Sequence, residues 1–114
     1  TYGGNPFACA AVSKVLDIFE QDHITEHVKE TAPYLEQKLD ELVEKYDFLT
    51  ARRGRGLMQG LVVSGRPVGE IVAKCLENGL ILISAGSDVL RLVPPLTITK
   101  EHIDEMIEKL TASF

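Results

Sequence analysis

Four stretches of the chain carry apolar residues at the spacing of an α-helix. The first begins at Asn5-Pro6, because asparagine is a favoured N-cap and proline is tolerated at the first helical position. The second covers residues 25–46, and Pro33 inside it predicts a kink or a break between two helices. The third and fourth helices are predicted to start near Pro67 and Thr99.

Short apolar runs separated by glycine lie between these helices and predict strands. The segment "FLTARRGRGLMQGLVVS" reads as two strands around Gly54 and Gly56. The segments "LILIS" and "VLRLV" form a second pair, separated by an Ala-Gly-Ser-Asp turn. The expected fold is therefore α+β, with a small, mainly antiparallel sheet covered by helices.

The composition argues against several functional classes but does not identify one. The 114 residues are 45% hydrophobic and 25% charged with a net charge of -5, which fits one small domain or a piece of a larger chain. Neither a transmembrane run nor a signal-peptide pattern is present, and the acidic balance argues against a nucleic-acid partner. Cys9 and Cys75 are predicted to be two buried thiols in a reducing cytosol.

Two glycine-containing segments are candidate anion sites. In "TYGGNP" two glycines precede a helix start, where backbone N–H groups can approach an anion, but a tight turn is the favoured interpretation. In "ARRGRG" the arginines Arg52, Arg53 and Arg55 are candidates for phosphate contact. Alternation places Arg53 and Arg55 on one strand face, and no aromatic residues lie between them, which favours a solvated or interdomain role.

Arg91 is the most specific candidate for binding. In "VLRLVPP" it shares a strand face with Val89 and Val93, and an always-charged guanidinium among apolar neighbours requires an acceptor. A carboxylate from a substrate or from another domain would serve. The alternative, which the pattern leaves open, is an edge-strand arginine that reaches solvent.

The sequence lacks a complete catalytic constellation. The three histidines have no cysteine or carboxylate at metal-ligand spacing, so no metal site is predicted. All lysines lie in helical segments among charged residues, and none has the setting of a desolvated nucleophile. No catalytic residue is therefore assigned.

Four ordered segments nevertheless resemble one known family over essentially the whole chain. They are "TYGGNPFACAAV", "RGRGLMQGL", "ENGLILISAG" and "VLRLVPPLTITKEHIDEMIEKL". In this order they are similar to the C-terminal part of class III aminotransferases. The resemblance implies the small domain of a fold type I enzyme that uses pyridoxal 5'-phosphate and acts as a cytoplasmic homodimer. It also implies that residues 1–24 are a linking turn and helix from a large domain and that residues 25–114 form the small α+β domain.

The resemblance assigns roles to two residues. Thr1 matches a threonine that binds the cofactor phosphate in the site of the other subunit, and Arg91 matches an arginine near the substrate carboxylate or a large-domain glutamate. The implied partners are the large domain, the second subunit, and the substrates acetylornithine and 2-oxoglutarate. A chain without the Schiff-base lysine is expected to be inactive alone. The alternatives are a class III enzyme for ornithine, succinylornithine or 4-aminobutyrate, and a free-standing small-molecule-binding α+β module.

Overall fold

The computed structural model of the chain describes residues 3–114. It has four helices and a four-stranded sheet of order β1-β2-β4-β3, in which every neighbouring pair is antiparallel. The elements in chain order are α1 (Pro6–Gln21), α2 (Ile24–Lys45), β1 (Leu49–Arg55), β2 (Met58–Val63), α3 (Val68–Glu77), β3 (Ile83–Ala85), β4 (Val89–Leu92) and α4 (Lys100–Ala112). The predicted α+β class is confirmed.

Local sequence signals set the helix starts. The Asn5 side chain accepts a hydrogen bond of 2.9 Å from the backbone N–H of Ala8, with Pro6 as the first helical residue. Thr99 caps α4, and the His102 ring accepts from the Thr99 backbone N–H in return, which forms a capping box. Both caps satisfy N–H groups that the first helical turn leaves without a partner.

Of the kink or break predicted at Pro33, the break is wrong, because α2 runs continuously from Ile24 to Lys45. Proline removes one backbone hydrogen bond, which weakens a helix without forcing it to end. Thr31 and Ala32 before it and Leu35 after it are all buried. Burial of side chains on both sides of Pro33 holds the two halves as one helix.

One face of the sheet packs against α2, α3 and α4. Four strand residues on that face are buried, namely Gln59, Leu61, Leu90 and Leu92. They meet Leu35 and Leu39 of α2, Ile71 and Cys75 of α3, and Ile103 and Leu110 of α4 in one apolar cluster. Successive residues of a strand point to opposite faces of the sheet. The strand residues that alternate with these four therefore point to the other side of the sheet.

That other side, which we call the open face, carries residues of all four strands. Register places Arg53, Gly60, Arg91 and Ile83 in one row across β1, β2, β4 and β3. Arg55 pairs with Met58 in an adjacent position. The side chains of Arg53, Arg55, Met58, Arg91 and Ile83 are exposed. The open face is therefore basic and partly apolar.

Helix α1 stands apart from this core, since none of its residues is buried. His23, with a backbone φ of 50° in the left-handed region, lies between α1 and α2. Phe7 of α1 is 86% exposed, and apolar side chains along the same helix are also exposed.

Cys9 is exposed as well, so the prediction that both thiols are buried is wrong for Cys9 and right for Cys75. The prediction fails for Cys9 because α1, including the apolar stretch around Cys9, has no buried residue. No helix within that range is long and apolar enough to cross a membrane.

Candidate functional site

A cavity of about 310 Å³ lies where β3 and β4 stop pairing. The last paired residues are Ile83 and Arg91, and Pro94-Pro95 follows β4 shortly afterwards. Proline has no N–H to continue the ladder, so the chain beyond β4 leaves the sheet. The cavity walls are mostly apolar and come from four parts of the chain: Leu35 of α2, residues 80–83, residues 91–95, and Ile98 with α4. We call this cavity the Arg91 pocket.

Arg91 is the arginine among the residues that line the pocket. Its strand, β4, lies between β2 and β3, so the edge-strand position in the alternative prediction is wrong, whereas the predicted exposure to solvent is found. The side chain is exposed on the open face, with Gly60 and Ile83 as its cross-strand neighbours. No carboxylate within residues 3–114 lies within ion-pair distance of its guanidinium. Arg91 is thus held on a rigid central strand with its charge available to an acceptor from outside this part of the chain.

The absence of a side chain at Gly60 leaves room for Val89 beside Arg91 on the open face. A Cβ at position 60 would come within 2.9 Å of Cγ1 of Val89. A side chain there would have to displace Val89, which is on the same strand face as Arg91. The glycine therefore keeps the surface between Arg53 and Arg91 shallow.

His102 is a second polar residue of the pocket, and sequence reasoning did not single it out. Its Nδ1 lies 3.1 Å from the Thr99 backbone nitrogen, which donates to it. Since Nδ1 accepts, the proton of the neutral ring is on Nε2. The signal was present in the sequence as a histidine three residues after a helix-capping threonine, a position usually taken by Glu or Gln in a capping box.

The arginines of "ARRGRG" separate into two kinds. Arg52 is on the helix-covered face, where its Nε donates to Asp40 at 2.7 Å and its Nη1 to Gln59 at 3.0 Å. The hydrogen bonds to Asp40 raise the pKa of Arg52 above its ordinary value. Arg53 and Arg55 are exposed on the open face, which agrees with the prediction that they share a solvated strand face. Arg52 is therefore structural, and the other two are free for contact.

Gln59 completes the network around Arg52. Its side chain is buried and its Nε2 donates to Glu36 and to the backbone carbonyl of Gly56. The hairpin turn between β1 and β2 is thereby fastened to α2. This fixes the position from which Arg53 and Arg55 project.

Chemically, the Arg91 pocket can bind and orient a ligand, and no lysine within residues 3–114 lines it. Apolar walls with a few polar groups are typical of small-molecule sites, and a guanidinium suits a carboxylate. All seven lysines lie within α1–α4, and none is buried. No group of three or more metal-ligating side chains occurs in the described part of the chain. Thr1, the predicted contact to the cofactor phosphate, is outside the described residues.

The whole chain, residues 1–114, matches the family model of class-III aminotransferases. The chain therefore belongs to the class III aminotransferase family. It is 43% identical to the acetylornithine aminotransferase of Gloeobacter violaceus over 115 aligned residues, which cover 100% of this chain and 29% of that protein. The chain thus spans less than a third of the length of that relative.

Solved structures agree with the fold. The acetylornithine aminotransferase of Elizabethkingia anophelis superposes with a TM-score of 0.91 at 28% identity over 99% of this chain and 29% of its own. The ornithine delta-aminotransferase of Plasmodium falciparum gives 0.89 at 34% identity, with 99% and 30% covered. Both enzymes contain this fold in less than a third of their length, so the fold does not distinguish between their amino donors.

Class III aminotransferases use pyridoxal phosphate, and residues 3–114 do not form a site for it. Such a site needs a lysine shielded from water that can react with the cofactor aldehyde. Every lysine in residues 3–114 is at least partly exposed and on a helix, and two of them are in ion pairs, Lys38 with Asp104 at 3.6 Å and Lys109 with Glu105 at 2.6 Å. The cofactor-bonding group is therefore absent from this part of the chain.

Proposed function

We propose that this chain is the C-terminal small domain of an acetylornithine aminotransferase. The complete enzyme would transfer the terminal amino group of N2-acetylornithine to 2-oxoglutarate, a step of arginine biosynthesis. Pyridoxal phosphate supplies the electron sink for such a reaction. The observation that carries the proposal is the 43% identity across the full chain to a relative with that name.

Within this enzyme the domain would bind and orient substrate rather than perform chemistry. Arg91 is our proposed substrate-binding residue, because its guanidinium lacks an ion-pair partner within residues 3–114 and the residue borders an apolar cavity. Acetylornithine has a carboxylate and an aliphatic chain, which suit a guanidinium beside apolar walls. Family resemblance leaves a glutamate of the large domain as the other possible acceptor.

Several features of the complete enzyme are proposed from the family resemblance. They are a cytoplasmic homodimer, a phosphate contact from Thr1 into the partner's site, and a division of the chain into a linking segment (1–24) and the small domain (25–114). The exposed apolar side chains of α1 support the last point, because such a helix is expected to pack against another part of the enzyme.

A donor panel tests the proposal. The complete coding region would be expressed, and kcat/KM measured with acetylornithine, succinylornithine, ornithine and 4-aminobutyrate, each with 2-oxoglutarate. We expect acetylornithine to give the highest value. A higher value for ornithine would move the chain to the ornithine enzymes, and no transamination of any donor would overturn the proposal.

A further inference from the structure

The segment between β4 and α4, residues 93–98, forms one wall of the Arg91 pocket. Four of its residues border that cavity, namely Val93, Pro94, Pro95 and Ile98. A second cavity, of about 370 Å³, also borders the segment, at Val93, Pro94 and Leu96. Because the segment lies between two cavities, it has fewer neighbouring atoms to pack against than a wall inside a filled core.

Neither burial nor the sheet fixes this segment. No residue of 93–98 is buried, and Val93 and Leu96 are 51% and 40% exposed. Pro94 and Pro95 have no N–H to donate. One hydrogen bond, of 3.3 Å from the Ile98 nitrogen to the Pro95 carbonyl oxygen, stays within the segment. The position of the segment relative to the core therefore depends on a bond from another element.

His27 of α2 provides that bond. Its Nε2 lies 2.8 Å from the Ile98 carbonyl oxygen, across 71 positions of sequence. A carbonyl oxygen only accepts, so Nε2 carries a hydrogen and donates. The buried Thr31, one turn further along α2, places its Oγ1 3.5 Å from the same nitrogen. The half-buried ring is thus held at the start of a helix whose following turns belong to the core.

We propose that His27 is a positioning residue for the Arg91 pocket: by holding the Ile98 carbonyl, it fixes residues 93–98 relative to Arg91 before substrate binds. This inference rests on the proposed function, in which Arg91 binds the substrate carboxylate. His27 does not border the cavity, so it acts through the segment and not by contact with substrate. A pocket whose wall is already in place binds more tightly, because ordering that wall no longer costs free energy on binding.

Two substitutions separate the hydrogen-bond donor from the ring. His27→Phe keeps an aromatic ring of similar size but has no donor, whereas His27→Gln loses the ring and keeps an N–H of comparable reach. Lys29→Phe places the same aromatic ring at an exposed position of the same helix and serves as the control.

Amide hydrogen exchange tests whether His27 holds the segment. The complete enzyme would be studied without substrate, and exchange followed by mass spectrometry in peptides that cover residues 93–99. We expect exchange there to be about two- to tenfold faster in His27→Phe, the change that one hydrogen bond between neutral groups supports. His27→Gln and Lys29→Phe should match the unmodified enzyme.

Steady-state kinetics of the complete enzyme test whether the pocket depends on the segment. In His27→Phe the KM for acetylornithine should rise about two- to tenfold with kcat nearly unchanged, because the loss is one of binding. A merely structural role would lower the amount of folded enzyme, and with it the apparent kcat, at an unchanged KM. His27→Gln should restore KM.

Each outcome decides the inference. Unchanged exchange in His27→Phe would overturn it, and so would faster exchange with an unchanged KM. Failure of His27→Gln to restore both quantities would also overturn it, because the ring and not the donor would then be required. Failure of the proposed function would be seen separately, as the absence of acetylornithine turnover by the unmodified enzyme, and exchange would still decide whether His27 holds the segment.

Discussion

Replacing Gly54 with alanine should destabilise the chain strongly, because the end of β1 has no room for a side chain at this position. Gly54 has a φ of 137°, and an added Cβ would lie 2.2 Å from the Met58 carbonyl oxygen and 2.8 Å from Cα of Gln59. Both neighbours are backbone atoms of the paired strand. They cannot move without disturbing the β1–β2 ladder and the buried Gln59 network.

The magnitude follows from two contributions. An unfavourable backbone conformation costs about 1–3 kcal/mol, and forcing extra atoms into a filled site costs about 1–3 kcal/mol more. The sum of about 2–6 kcal/mol is large against the total of about 6–17 kcal/mol expected for a domain of this length. With a urea m-value of about 2 kcal/mol/M, the unfolding midpoint should fall by about 1–3 M.

Two other glycines serve as controls in the same urea titration followed by circular dichroism. Gly56 has a φ of 60°, but its added Cβ would be 3.7 Å from Cγ1 of Val28, so alanine there should cost only the backbone term of about 1–2 kcal/mol. Gly69 in α3 has no atom within 4 Å, and alanine should be neutral or stabilising by up to about 1 kcal/mol. The reasoning is refuted if Gly54→Ala is no more destabilising than Gly56→Ala.

Three further predictions concern Thr1, the thiols and α1. In the complete enzyme Thr1→Val should weaken cofactor binding about tenfold or more, since a hydrogen bond to a charged acceptor contributes about 1.5–3 kcal/mol; an unchanged Kd in a spectroscopic titration would remove Thr1 from the site. Cys9 should react rapidly with a thiol reagent, whereas Cys75, whose pKa is raised by burial, should react only on unfolding. Rapid reaction of both thiols in the folded chain would contradict the burial of Cys75. Exposed apolar residues of α1 should make the 114-residue chain self-associate, and Leu16→Glu should reduce this in sedimentation experiments; a chain that stays monomeric at every concentration would contradict it.

Local signals in the sequence predicted much of the fold. The capped starts at Asn5 and Thr99 and the hairpin around Gly54 and Gly56 are all confirmed, because each depends on residues close together in the chain. β3 is shorter than the predicted strand over residues 80–84 and begins at Ile83. Its length is set by where β4 stops pairing, which a local pattern does not contain.

The features that the sequence did not predict correctly depend on contacts between elements that are distant in the chain. Pro33 lies in a continuous helix because packing on both sides outweighs one missing hydrogen bond. Arg91 lies on an inner strand because β3 pairs beside β4, and this strand order cannot be read from the apolar pattern. His102 joins the Arg91 pocket only after α4 folds back onto the sheet. Sequence therefore identified Arg91 as a candidate but not the cavity around it.

The most direct test of the account is the effect of Arg91 substitutions on substrate binding in the complete enzyme. Arg91→Lys and Arg91→Met would be compared with the exposed control Lys74→Met, measuring KM and kcat separately for acetylornithine. Loss of a charged hydrogen bond to the carboxylate should raise KM about tenfold or more in Arg91→Met. Lysine keeps the charge but not the paired geometry, so Arg91→Lys should give an intermediate KM. Unchanged KM and kcat in both Arg91 variants would contradict the assignment of Arg91 to the substrate.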